Sequence, residues 1–368
     1  MKAPVELLNI LQNAGYAAYF VGGCVRDALL GRPAHDWDIA TAARPEQIME
    51  VFPKCVPTGL QHGTVTVLWE GEGYEVTTFR CDGTYRDSRH PDSVQFVTDL
   101  REDLARRDFT VNAMAMNAAG EITDPFCGRT DLEQKCLRCV HEPEQRFRED
   151  ALRMLRALRF SAQLGFTIEK KTYQAIRTCA PLSAALSAER VRDEVEKTLL
   201  SPDPQAVSEM SRLGLLEAYG LTGDLALAGL SDLPADRTVR WAAFFAACPQ
   251  ANWQDFRLDR RTGEIARQSA ALSGFPRSRL QWKKLLCVHG EPVARCTAAL
   301  QGEAQTVEEI LSSGECLSRK TLAVSGKDFP DCKGKMLGQL LTELLYHVLE
   351  NPTDNDREKL LEIAQKLF

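Results

Sequence analysis

Two aspartates separated by a single residue, Asp36 and Asp38, have the spacing best suited to chemistry in this sequence. In a strand, residues i and i+2 point to the same face, so the two carboxylates would lie side by side. Adjacent carboxylates repel each other unless a cation lies between them, and Mg²⁺ takes one or two carboxylates together with substrate phosphates. The pattern therefore predicts a Mg²⁺ site for phosphate chemistry, although a DxD in a loop also has innocent explanations.

A glycine pair lies ahead of the aspartates. Gly22 and Gly23 follow the apolar run 19–21 and open a helical pattern. Glycines let backbone N–H groups approach a phosphate, and Arg26, one turn into the helix, could reach the same phosphate. A glycine pair by itself is also typical of an ordinary tight turn.

Four segments in register carry a family resemblance: GGCVRD (22–27), DWDIAT (36–41), EVTTFR (75–80) and RRDFTVNAMA (106–115). They resemble the polymerase-β-like head of the tRNA nucleotidyltransferase/poly(A) polymerase family, with the order and spacing of its class II, the class found in bacteria and eukaryotes. The resemblance implies that Asp36 and Asp38 hold two metal ions for an in-line displacement. It assigns Gly22, Gly23 and Arg26 to the triphosphate, and Arg107 to charge neutralisation or to the incoming base or sugar. Glu75 is where a third catalytic carboxylate is expected, with a purely structural role as the alternative.

A second set of candidates lies in residues 148–160, whose three-residue periodicity predicts one amphipathic helix. Asp150 and Arg153 share a face, and the plain interpretation is a surface ion pair. Glu149, Asp150 and Arg153 match the family's EDxxR motif, which implies that Asp150 and Arg153 bind the Watson–Crick edges of CTP and ATP. Arg156 and Arg159 match further nucleotide-contacting positions. Steps of three drift about 60° around a helix, so Arg159 is expected to point well away from Asp150.

Three other segments resemble family features. The motif at 187–197 is expected to be mainly structural, and the polar stretch 82–92 corresponds to a loop that the family needs for the final adenosine. Residues 322–329 resemble the tail of Gram-positive-type enzymes.

Composition and charge restrict the function classes. The 368 residues carry a net charge of −6, and no stretch approaches the ~18 apolar residues of a membrane helix. Residues 251–290 nevertheless hold eight Lys/Arg against three acidic residues. Such a belt is typical of a phosphate-contacting surface or of a solvated helix face. The 12 cysteines form no compact framework, and Cys136 and Cys139 have no second ligand pair for zinc, so we expect reduced thiols and a cytoplasmic protein.

The patterns together predict an α+β protein with a mixed-sheet nucleotidyltransferase head followed by helices. Strands are predicted at 64–69, 74–79, 94–97 and 111–116, and helices at 25–30, 45–52 and 100–105. The expected domains are a head (1–139), a base-reading neck (140–200), a body (201–275) and a tRNA-binding tail (276–368).

The predicted activity is template-independent addition of CCA to tRNA 3′ ends from CTP and ATP. A poly(A) polymerase or an A-adding tRNA nucleotidyltransferase shares nearly every residue named and remains the close alternative. A small-molecule nucleotidyltransferase and a non-catalytic RNA-binding protein are more distant ones. The expected partners are tRNA and the two nucleotides, with no membrane; the sequence leaves the oligomeric state open.

Overall fold

The computed structural model describes residues 2–34, 36–82, 94–274 and 277–367. The chain forms two compact units, Met1–Asp224 and Leu225–Phe368. The predicted loop at 82–92 lies, apart from Asp82, outside the described residues. None of the helices within the described ranges combines the length and apolar character that a membrane span requires.

The first unit begins with a mixed α/β region. Its helices are α1 (Lys2–Asn13), α2 (Gly23–Leu29), α3 (Pro45–Val51), α4 (Leu100–Ala105) and α5 (Gly128–Glu133). Its strands are β1 (Ala18–Val21), β2 (Ile39–Thr41), β3 (Cys55–Gly59), β4 (Thr64–Trp69), β5 (Glu72–Thr78), β6 (Arg80–Asp82), β7 (Val94–Phe96), β8 (Ala115–Met116), β9 (Ile122–Thr123) and β10 (Cys136–Leu137).

Within the described residues, seven of these strands form one sheet in the order β3-β4-β5-β2-β1-β8-β9. Neighbouring strands run antiparallel except for β2 and β5, which are parallel. The sheet is therefore mixed, and the predicted α+β fold is confirmed.

The hairpin of β4 and β5 forms where the sequence predicts it, because its β-branched residues alternate between the buried and the accessible face. Its two turn residues, Glu70 and Gly71, both have positive φ, which is the geometry of a tight hairpin connection. The predicted strand at 111–116 is shorter than expected. Residues 110–112 form a buried 3₁₀ turn, and only 115–116 pair in the sheet.

Helices make up most of the remainder of the first unit. They are α6 (Pro143–Glu149), α7 (Leu152–Leu164), α8 (Lys170–Cys179), α9 (Ala188–Leu199) and α10 (Ala206–Arg212), and the short strand β11 (Thr167–Ile168) pairs in parallel with β10. The prediction of one helix over 148–160 is wrong. Asp150 is extended (φ −145°, ψ 104°) and its carboxylate Oδ1 accepts the N–H of Leu152 at 3.1 Å, so the aspartate ends α6 and caps α7.

The described residues of the second unit form helices and no strands. The helices are α11 (Arg237–Ala247), α12 (Arg260–Leu272), α13 (Arg279–His289), α14 (Glu291–Gln301), α15 (Ala304–Ser312), α16 (Gly334–Glu350) and α17 (Arg357–Leu367). Asp259 and Ser278 cap the first turns of α12 and α13 through their side chains, which fixes where those helices begin.

Candidate active site

One cavity of about 650 Å³ in the first unit gathers ten of the eleven predicted site residues. They come from the loop before β2, the start of α2, the end of α4 and the segment 150–159. The ten are Gly22, Gly23, Arg26, Asp36, Asp38, Arg107, Asp150, Arg153, Arg156 and Arg159. Glu75 does not line this cavity. From helix geometry, Arg159 was expected to point well away from Asp150, yet it still lines the cavity.

Asp36 and Asp38 lie just before β2 and not within it, because the strand begins at Ile39. The backbone explains this boundary. The carbonyl of Asp38 accepts the N–H of Val21 at 3.0 Å, but the next residue of that strand, Gly22, turns away with φ 78° and ψ −134°. On the β1 side no strand therefore continues beyond this hydrogen bond, and both carboxylates line the cavity.

Burial on most sides raises the pKa of Asp38; the charges of Glu75 and Asp36 raise it further, and Arg107 opposes them. The register that pairs Ile39 with Val76 brings Glu75 alongside Asp38 on the neighbouring strand. Two neighbouring carboxylates provide the hard oxygen donors that suit a divalent cation. Within the described ranges, however, no three His, Cys, Asp or Glu side chains come close enough to hold a metal. Glu75 as a third ligand stays a prediction.

Gly22 lies between one of these aspartates and a cationic side chain. A Cβ added there would lie 2.9 Å from Arg107 Nη1 and 3.8 Å from Asp38 Oδ2, and the positive φ adds strain for any other residue. Arg107 Nη2 donates to Asp103 Oδ2 at 3.2 Å, which holds the guanidinium in place. Arg107 Nε is buried without a hydrogen-bond partner in the described part of the chain.

Arg26 is nearly buried and fixed by two neighbours. It donates through Nη1 to Asn112 Oδ1 at 2.7 Å and through Nε and Nη2 to Asp27 at 2.9 Å. These bonds hold the guanidinium at the cavity wall beside Gly23.

The predicted base-reading pair has separate partners. Asp150 Oδ2 accepts from Arg190 Nη2 at 2.8 Å. Arg153 pairs with Glu149 Oε2 at 2.8 Å and donates to the carbonyl of Arg106 at 3.0 Å. Each side chain is therefore held by its own neighbours, and both still line the cavity.

The other two arginines of the segment are held by buried carboxylates. Arg156 donates from Nε and Nη2 to Asp108 Oδ2 at 2.8 and 2.6 Å, and Arg159 pairs with Glu194. Burial alone would raise the pKa of Asp108, but the charge of Arg156 and hydrogen bonds from Asn112 and Arg156 outweigh burial and lower it to about 2.

Sequence reasoning did not assign a role to several residues of this site. They are Asp27, Asp103, Arg106, Asp108, Asn112, Phe160, Arg190, Glu194 and Lys197. Most lie in segments that match family motifs, namely 22–27, 106–115 and 187–197. Their position within these motifs could therefore have identified them as site residues. Several of their roles depend on contacts between residues 35 to 86 positions apart in the chain, such as Arg159 with Glu194 and Arg26 with Asn112.

Comparisons with known proteins agree with this geometry. Residues 18–138 match the model of the poly(A) polymerase head domain, and residues 165–219 match the model described as "Probable RNA and SrmB- binding site of polymerase A". The chain is 38% identical to the CCA-adding enzyme of Enterococcus faecalis, over 99% of this chain and 96% of the relative. It is 41% identical to that of Geobacillus stearothermophilus, over 98% and 96%.

Among solved structures, the CCA-adding enzyme of Bacillus stearothermophilus in complex with CTP is similar with a TM-score of 0.86 and 35% identity, covering 99% of this chain and 98% of the other. The head and its cavity thus define a nucleotidyltransferase of the poly(A) polymerase type. Because the identity extends over nearly the whole length of relatives from Gram-positive bacteria, the chain belongs to the CCA-adding enzymes, the class II tRNA nucleotidyltransferases. Nucleotidyltransferases of this family generally use divalent metal ions.

Proposed function

We propose that this enzyme adds CCA to the 3′ end of tRNA from CTP and ATP without a template, using Mg²⁺ held by Asp36 and Asp38. The observation that carries the proposal is the single cavity that contains the paired aspartates, the glycine turn and the four side chains Asp150, Arg153, Arg156 and Arg159. A triphosphate placed at one end of that cavity leaves its base facing the other end.

The aspartates supply the metal ligands. Mg²⁺ held by Asp36 and Asp38 would activate the RNA 3′-hydroxyl and would neutralise charge on the triphosphate and the leaving pyrophosphate. The protein's own cations complete the neutralisation. Arg26 and Arg107 line the same cavity, where their guanidinium groups would contact phosphate oxygens.

Asp150 would select the base. A carboxylate accepts hydrogen bonds, and cytosine and adenine both present an amino group, whereas uracil and guanine present a carbonyl at the corresponding position. A carbonyl facing the carboxylate leaves both groups unpaired, and sites built on such hydrogen bonds reject the wrong ligand by factors of ~10⁴. Arg153 would donate to a ring nitrogen or carbonyl, after exchanging one of its present hydrogen bonds for the base.

The basic belt of the second unit would contact tRNA, but only part of it is available. Arg279 and Lys283 pair with Glu315, and Lys284 pairs with Glu350 at 2.9 Å. These cations stabilise the unit itself. Arg260 and Arg261 lie on the exposed surface of α12, where they line a shallow cavity of about 420 Å³, and Arg260 pairs with Glu264 at 2.8 Å. Within the described residues, no carboxylate partner accompanies Arg261, which favours it as a phosphate contact.

Two further assignments complete the proposal. The head, neck, body and tail divide at 139, 200 and 275, with base selection in the neck and tRNA binding in the tail and at Arg261 of the body. The protein acts in the cytoplasm, which the 12 unpaired cysteines of the chain support.

Sequencing the 3′ ends formed on tRNA that lacks its terminal nucleotides tests the activity. Incorporation of C, C and A in order is expected, and failure to use both CTP and ATP would reject it. Addition of A only to tRNA ending in CC would indicate an A-adding enzyme, and a long homopolymer would indicate a poly(A) polymerase. Asp36→Ala should abolish incorporation and leave tRNA binding intact, which separates the enzyme from a non-catalytic RNA-binding protein.

A further inference from the structure

Three guanidinium groups of the nucleotide cavity surround one aromatic ring. The guanidinium carbon of Arg159 lies 3.8 Å from the ring centroid of Phe160, and those of Arg26 and Arg156 each lie 5.2 Å from it. Arg26 belongs to α2 of the head, whereas the other two belong to α7. The ring is therefore a contact shared by the two elements that would hold opposite ends of the nucleotide.

The setting of the ring makes these contacts strong. An aromatic face attracts cations within about 6 Å, and the attraction grows when water is excluded. Phe160 is only 6% exposed and lines the cavity. Its ring is fixed by an edge-to-face contact with the fully buried Phe109, with centroids 5.9 Å apart and planes at 82°.

Three like charges around one ring also repel one another, and nearby carboxylates offset that repulsion. Asp27 pairs with Arg26 at 2.9 Å, and Glu194 pairs with Arg159. The ring contributes what the carboxylates do not, because it contacts all three guanidiniums at once.

We propose that Phe160 is a positioning residue for nucleotide binding: its ring face holds Arg26 at the triphosphate end and Arg156 and Arg159 at the base end in one fixed arrangement. The inference rests on the proposed function, since it takes the nucleotide to occupy this cavity. The ring acts through the arginines and not on the reacting atoms. Its loss should therefore raise KM for CTP and ATP alike and leave kcat nearly unchanged.

Stepwise fluorination of the ring gives the sharpest test. Nonsense suppression can introduce phenylalanine with one, two or three fluorines at position 160. These rings keep nearly the volume of phenylalanine, but each fluorine reduces the negative electrostatic potential on the ring face. We expect the logarithm of KM for both nucleotides to rise steadily with fluorination, to about tenfold for the trifluoro ring. Inhibition by inorganic tripolyphosphate, a probe of the Arg26 end alone, should weaken in the same order.

The same series at Phe166 is the matched control. Phe166 is similarly buried, just after the end of α7, and no arginine is described on its ring. KM should not change there. Phe160→Leu, which removes the aromatic ring, should raise KM for both nucleotides as the trifluoro ring does. Phe160→Tyr, which keeps an aromatic ring, should leave KM close to that of the unmodified enzyme.

Three results would overturn the inference: a KM at position 160 that does not respond to fluorination, an equal response at position 166, or a response of KM that only follows a fall in melting temperature. If the unmodified enzyme itself adds neither CTP nor ATP, the proposed function fails instead.

Discussion

The ion pair between Asp108 and Arg156 gives a prediction whose size follows from the structure. In Asp108→Asn, Oδ1 can still accept from the N–H of Phe109 and from Asn112, but an amide NH₂ replaces the oxygen that Arg156 contacts. Asp108 is only 8% exposed, and its pKa falls from 3.8 to about 2 on folding. One pKa unit corresponds to about 1.4 kcal/mol, so the variant should lose about 2 kcal/mol of stability at neutral pH.

The pH dependence fixes the sign of this effect. A carboxylate whose pKa is lowered by folding stabilises the protein above its unfolded pKa, and this contribution disappears as the pH falls through the folded value. The gap between Asp108→Asn and the unmodified protein should therefore be full at neutral pH and shrink between about pH 4 and pH 2. Other acidic groups titrate in both proteins and cancel in the difference.

Amide hydrogen exchange of peptides covering α7, measured by mass spectrometry, reports the local free energy of opening. Asp193→Asn is the matched control, because that carboxylate is 51% exposed and pairs with Arg192 near the surface of α9. Its effect should stay below about 0.5 kcal/mol. Equal protection of α7 in Asp108→Asn and the unmodified protein at neutral pH, or a gap that persists undiminished near pH 2, would refute the reasoning.

Three further predictions follow from the contacts described. Asp38→Asn should abolish nucleotide addition yet slightly raise the melting temperature measured without metal, because burial and the neighbouring carboxylates raise the pKa of Asp38 and so disfavour its charged form in the folded protein; differential scanning calorimetry in chelator checks this, and a lower melting temperature contradicts it. Arg190→Met should release the carboxylate of Asp150 and increase UTP incorporation relative to CTP, and Arg190→Lys should partly recover the selectivity. Competition between labelled nucleotides measures this ratio, and unchanged selectivity would leave Arg190 a purely structural residue. Arg261→Glu should weaken tRNA binding and lower the salt dependence of log Kd by about one unit of slope, and an unaltered slope in filter binding would remove Arg261 from the interface.

The sequence was most informative where a local pattern meets a local physical requirement. The hairpin of β4 and β5 follows from alternating apolar residues and a turn with two positive φ angles, neither of which depends on distant contacts. The glycine turn at Gly22 is similarly local, since its positive φ of 78° suits a residue without Cβ. Motif order then identified the residues that line the cavity.

The break at Asp150 was not predictable from periodicity. The apolar and charged stripes of 148–160 continue without interruption through this residue, so the helical pattern gives no sign of an end. In the folded chain, Asp150 caps the N–H of Leu152 and pairs with Arg190 from α9, and these two contacts stabilise an extended residue in place of a helical one. A partner 40 residues away decides the local backbone.

By itself, the sequence predicted which side chains line the cavity: the paired aspartates and the glycine turn are recognisable from residue type and spacing, and the arginines of α7 from the family resemblance. Only the tertiary structure decided how those side chains are held. The carboxylate partner of Arg159 lies on another helix, and the ring of Phe160 collects guanidiniums from two elements. Charge pairing and cation–π contact act between atoms a few ångströms apart, and folding, not order along the chain, brings those atoms together.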